Sequence, residues 1–162
     1  MAESIDPATT KKMVKQLLQR FYSQQERIVE TYRLVDEGFG VYLDRTPTLL
    51  YRQLVDAVKN NFESISCEMV YIKAELCYSH NRRELASLVE KVLDKQKCKL
   101  EVIINLKIAE RDVQKNQGVE SYVDKVRELK ERMKGLQEEI NEVLEEIKYE
   151  SEDLYEDDRV ER

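Results

Sequence analysis

The chain has 162 residues, 41% of them apolar and 37% charged, with no Trp, 4 Gly and 2 Pro. That charge fraction is well above the ~25% of an average globular domain. Scarce helix breakers beside so many charges exclude a thick mixed core and favour long helices with solvated outer faces. The net charge is −6, and it is unevenly placed: residues 150–162 carry −5, while residues 81–100 carry +3.

Asp6-Pro7 signals a helix start, because Asp can cap and Pro suits the first helical position. From there an apolar stripe with steps of three and four runs Val14, Leu18, Phe21, Ile28, Tyr32, Val35, Phe39, Tyr42, interrupted by Gln25. This predicts a first helix ending near Leu43. Asp44 to Thr48 reads as a turn, since Pro47 disfavours helical geometry at Thr46, and Thr46 or Thr48 is the candidate cap for the second helix. That helix spans about Leu49 to Tyr78 on the seam Tyr51, Val55, Val58, Phe62, Ile65, Met69, Ile72, Leu76.

Ser79-His80-Asn81 breaks the pattern, with Asn81 as a capping candidate. A third helix covers roughly Arg82 to Lys115. Leu85, Val89, Val92, Ile103, Leu106 and Val113 keep one face; Leu93, Leu100, Ile104 and Ile108 add a second. So wide an arc implies contact with two neighbours. Asn116-Gln117-Gly118 ends it, with Gly118 as the expected C-terminal cap. The fourth helix, about Glu120 to Tyr149, has a narrow seam of Tyr122, Val126, Leu129, Met133, Leu136, Ile140, Val143 and Ile147. Such a seam serves equally for closing a bundle or for an arm that docks on a partner.

The fold expected is all-α: an elongated antiparallel helical bundle or coiled coil of three to four long helices with an acidic C-terminal tail. It divides into a three-helix bundle over 1–115, a fourth coiled-coil helix over 116–149 and the tail over 150–162. The start lacks an apolar signal region, no apolar run approaches the ~18 residues of a membrane span, and Cys67, Cys77 and Cys98 fit no disulfide framework. A soluble intracellular protein is the expectation.

Candidate functional residues are few. Glu37-Gly38-Phe39-Gly40 places two glycines around an aromatic inside a helical stripe. It reads either as a hinge that presents Phe39 to a partner or as a bend that packs Phe39 and Tyr42 on the second helix. Gly135 beside Leu136 is either a site of close approach or a tolerated surface residue. His80 with Cys77 and Cys98 lacks the paired spacings of a metal site, so a polar turn is the better reading. Phosphate-loop and nucleophile motifs are absent, and no enzyme and no cofactor are expected. Lys91, Lys95, Lys97 and Lys99 are interleaved with acids and lack nearby aromatics, so direct nucleic-acid binding is not expected. Tyrosines cluster in the first half, where they suit interfaces or helix packing.

The segment Gln24-Gln25-Glu26-Arg27-Ile28-Val29-Glu30-Thr31-Tyr32-Arg33, continuing through Glu37-Gly38, Val41-Tyr42-Leu43 and Tyr51-Arg52-Gln53-Leu54-Val55, resembles the "required for excision" B-type domain family. Glu26, Arg27, Tyr32, Glu37 and Gly38 are the matching positions, and the resemblance spans roughly Lys12 to Val113. It implies a small helical protein linked by its family name to DNA repair, and it transfers no catalytic chemistry.

Two functions emerge as expectations. The preferred one is a non-catalytic structural or adaptor subunit that docks by coiled-coil contacts with other helical proteins of a larger assembly, such as a ciliary axonemal complex in the cytoskeleton. The alternative is a DNA-repair accessory factor in the nucleus, acting through protein partners. Phe39, Met133, Leu136, Ile140 and Val143 are the expected partner-binding residues. Neither a membrane nor a small-molecule substrate is expected.

Overall fold

Pro7 has a preset helical φ and lacks the N–H that a first turn leaves unpaired, and the first helix begins on it. A computed structural model of the chain describes residues 6–45 and 48–156. They form four long helices, α1 (Pro7–Arg45), α2 (Thr48–Ala74), α3 (Arg83–Lys115) and α4 (Glu120–Glu150), with no strand among the described residues. Each lies within a few residues of the span its apolar periodicity predicts. The expected turn residues Thr46 and Pro47 lie outside the described residues, as do the side chains of Tyr42 and Tyr51.

Helix α1 runs unbroken through Gly38 and Gly40, so the pair does not act as a break. Gly38 instead admits α2: a Cβ there would meet the Leu54 methyl carbons at 2.8 and 2.9 Å. The second helix gives way after Ala74 to one wide π-type turn, Glu75–Ser79, closed by the Arg82 N–H donating to the Leu76 carbonyl at 2.7 Å. Asn81 does not cap α3. It adopts φ 54, a left-handed conformation that asparagine tolerates better than most residues, and there it reverses the chain. After α3, the Asn116 N–H and Nδ2 both donate to the Asp112 carbonyl at 3.0 Å, and Gly118 turns the chain at φ 89.

Cross-helix contacts fix the topology. Arg20 with Glu68, Arg27 with Ser64 and Gly38 with Leu54 set α1 and α2 antiparallel. The pairs Tyr32 with Gln96 and Asp36 with Lys107 set α1 and α3 parallel. On α4, Gln137 and Glu139 meet Lys99 and Lys95, and Asp153 just past its end meets Arg82, so α4 runs antiparallel to α3. The bundle is thus up-down-up-down, as short joints favour. The core holds Leu18, Phe21, Ile65, Met69, Leu76 and Leu85 at its centre, with Val143, Ile147 and Leu154 joining from the C-terminal end.

The fourth helix is docked along α3 rather than projecting. Its last residues also belong to the bundle, which amends the expectation of a tail from residue 150 onward. The Ser151 hydroxyl donates to the Ile147 carbonyl at 2.7 Å, and a tight turn, Glu152–Leu154, reaches α1. Leu154 is buried there because an apolar side chain at a helix end has the α1 face available to cover it. Lys15 lies over the Tyr155 ring at 4.9 Å. Residues 157–162 of the expected acidic tail lie outside the described residues.

Candidate functional site

Helices α2 and α3 splay enough to leave an open groove of about 680 Å³ between them. Its floor is apolar: Phe39 from α1, Val58 and Phe62 from α2, and Leu100 from α3 are buried, while Val55 and Ile104 are half-buried. The α2 lip carries Lys59, Glu63 and Cys67, all exposed, and the α3 lip carries exposed Lys97. Periodicity accounts for this floor. Leu100 and Ile104 belong to the second apolar face of α3, which in the structure points toward α2. Phe39 is buried in the core, where it forms part of the floor of the open site.

The other expected docking residues meet this chain's own helices. Ile140 and Val143 are buried at 3% and 6% exposure. Met133 is half-buried against the core, and Leu136 is half-buried. In this arrangement Phe39, Ile140 and Val143 contribute to the internal packing, and the last two offer a partner no free face of α4.

A polar layer crosses the bundle near the middle of α1. Gln96 Nε2 donates to Gln25 Oε1 at 2.5 Å, and the Tyr32 hydroxyl donates to the Gln96 carbonyl at 3.2 Å. The Lys99 ammonium lies over the Tyr32 ring at 4.6 Å and also donates to Gln137 on α4. Burial pushes the Tyr32 hydroxyl well above the usual tyrosine pKa and pushes the Lys99 ammonium below the usual lysine value, because each charged form loses water. Gln25, the one interruption of the α1 stripe, is therefore where α1 meets α3 through a hydrogen bond instead of a methyl contact.

The residues carrying the family resemblance divide by role. Arg27 bonds Gln24 on α1 and Ser64 on α2, Tyr32 reaches α3, and Gly38 sets the approach of α2; these hold helices together. Glu26 and Glu37 are exposed. The lysine run divides as well. Lys95 pairs with Glu139 at 3.1 Å and Lys99 with Gln137, so two of the four fasten α4, while Lys97 faces the groove. Gly135 has nothing within 4 Å of a Cβ placed on it, which fits the tolerated-surface reading. No cluster of three or more His, Cys, Asp or Glu able to hold a metal occurs among the described residues. None of the helices is long and apolar enough to cross a membrane among the residues searched.

The groove itself escaped sequence reasoning. Its signal was the double face of α3, but which neighbour each face meets depends on how far α2 stands off. A family model described as DNA repair REX1-B matches residues 16–110. That span covers most of α1, all of α2 and α3 almost to its end, and it leaves out α4. No curated protein and no solved structure matches the chain.

Proposed function

The chain belongs to the DNA repair REX1-B family, and on that premise we propose that it is a non-catalytic accessory factor of DNA repair that works by docking protein partners. One observation carries this reading. Every residue lining the α2–α3 groove, from Phe39 to Ile104, lies inside the matched span of 16–110. The part of the chain that relates it to repair proteins is also the part that builds its open apolar site. An apolar channel between two helices suits a helix laid into it, and its mouth offers lysines and one glutamate rather than a convergent acid and base. The polar side chains buried elsewhere, Gln24, Thr31, Gln96 and Ser151 among the described residues, are groups that position helices or cap their ends.

The ciliary structural role rests on long helices and regular seams, features that the repair reading shares. The family description favours the repair reading, and the nucleus is the proposed site of action. The test is lesion removal in cells that lack the protein. After ultraviolet irradiation, such cells should clear damaged bases more slowly than controls. Wild-type protein should restore the rate, and Ile104→Glu, which puts a charge on the groove floor, should not. Normal lesion clearance in the deficient cells would sink the proposal.

A further inference from the structure

The groove lies between two helices, several of whose other cations are engaged. Lys73 pairs with Glu90 at 3.1 Å, Lys95 with Glu139 at 3.1 Å and Lys107 with Asp36 at 2.6 Å. The two lysines on the groove lips, Lys59 on α2 and Lys97 on α3, have no ion-pair partner among the described residues. In a chain of net charge −6, acids are plentiful, yet the mouth of this apolar channel has an unpaired lysine on each lip against a single acid on the α2 side. Glu63 is the one acid in the lining.

The apolar track also runs past the channel. Val70, about one turn beyond Ser66 on α2, is 57% exposed, and Ile108, one turn beyond Ile104 on α3, is 39% exposed. From Val55 to Val70 the α2 lip extends about 22 Å at 1.5 Å per residue, the length of a four-turn helix. A partner helix of that length would cover Ile104 and Val55 with its apolar face and bring both of its flanks over a lysine.

We infer that the groove receives a four-turn amphipathic helix whose apolar face is bordered by acidic side chains on both flanks. This inference rests on the docking reading above and names the chemistry of the partner. The lysines provide orientation and discrimination, while the floor provides affinity; charge at an interface rim acts mainly on partner choice and association rate.

The test uses the full chain and three labelled probes: a helical peptide of leucines at helical spacing with glutamate flanks, the same peptide with lysine flanks, and a double-stranded DNA 20-mer. Fluorescence anisotropy reads the affinities. The acidic peptide should bind roughly tenfold more tightly than the basic one. The double variant Lys59→Glu/Lys97→Glu changes only exposed side chains and should reverse that order. Ile104→Glu, checked for helicity by circular dichroism, should weaken both peptides. Equal binding of the two peptides, still lost in Ile104→Glu, would overturn the acidic partner and leave groove docking intact. No peptide binding, or DNA binding that the lysine variants abolish, would overturn both.

Discussion

Gly38 and Gly135 both lie inside helices, and alanine should affect them in opposite directions. At Gly135 a new methyl meets open space, so only the helix preference counts, and Gly135→Ala should stabilise by up to about 1 kcal/mol. At Gly38 the same gain opposes the overpacking of Leu54, which is buried at 6% exposure and has little room to turn aside. Overpacking of that kind costs about 1–3 kcal/mol, so Gly38→Ala should lose stability on balance. In a Leu54→Ala background the clash is gone and Gly38→Ala should become favourable; urea midpoints of the four proteins measure that coupling. Tyr32 gives a prediction in pH. Its folded pKa is raised by burial, so the unfolded chain ionises first. The stability this provides is complete below the unfolded value near 10 and is lost as pH rises above it. Tyr32→Phe should therefore be less stable at neutral pH by about 1 kcal/mol, for the lost bond to Gln96, and should lose less than wild type between neutral pH and pH 11. Lys99, lowered by burial, slopes the other way in both proteins. Flat curves in alkaline urea titrations for both proteins would contradict the burial argument.

At the scale of the element, α4 separates what periodicity reveals from what it conceals. Its seam is uniform in sequence from Tyr122 to Ile147, and that uniformity correctly marks the face of the helix. Burial along the seam is graded: Tyr122, Val126, Leu129, Met133 and Leu136 are half-buried, whereas Ile140, Val143 and Ile147 are buried. The gradient arises because the C-terminal half meets α3 together with the main core, whereas the α3–α4 register leaves residues 122–129 beside the far end of α3 alone. A pattern read along one helix names the buried side but not the number of neighbours that cover it. Amide hydrogen exchange should follow this gradient, with residues 122–130 exchanging well before residues 140–149. Ile140→Ala should cost about 2–5 kcal/mol as a core truncation, and Leu129→Ala clearly less. Asn81 is a comparable case. Its polar character marked a break between helices, but a capping role and a left-handed turn attract the same residue type, and only the backbone path distinguishes them.

For the whole molecule, four helices, their order and the antiparallel sense of the first three were legible from apolar spacing and short joints, while the narrow seam of the fourth left its docking open. The groove was not, because it is a property of the distance between α2 and α3, and no single-helix pattern records distances between helices. The double face of α3 predicted two neighbours; α3 meets three helices, α1, α2 and α4, and part of its Leu100–Ile104 side is still uncovered. Gly118 links this architecture to a different behaviour. The α3–α4 hairpin depends on a bend at φ 89 with open space around it, so the backbone angle alone decides who may stand there. Valine at 118 would penalise the bend while favouring continuation of the helix, and α3 and α4 could then merge into a single rod of about 100 Å. Two such rods would each lend their α4 to the other chain, forming an exchanged dimer built from the same contacts. Size-exclusion chromatography of Gly118→Val should show dimer growing with concentration, so this one glycine sets whether the chain folds back upon itself or trades its last helix with a twin.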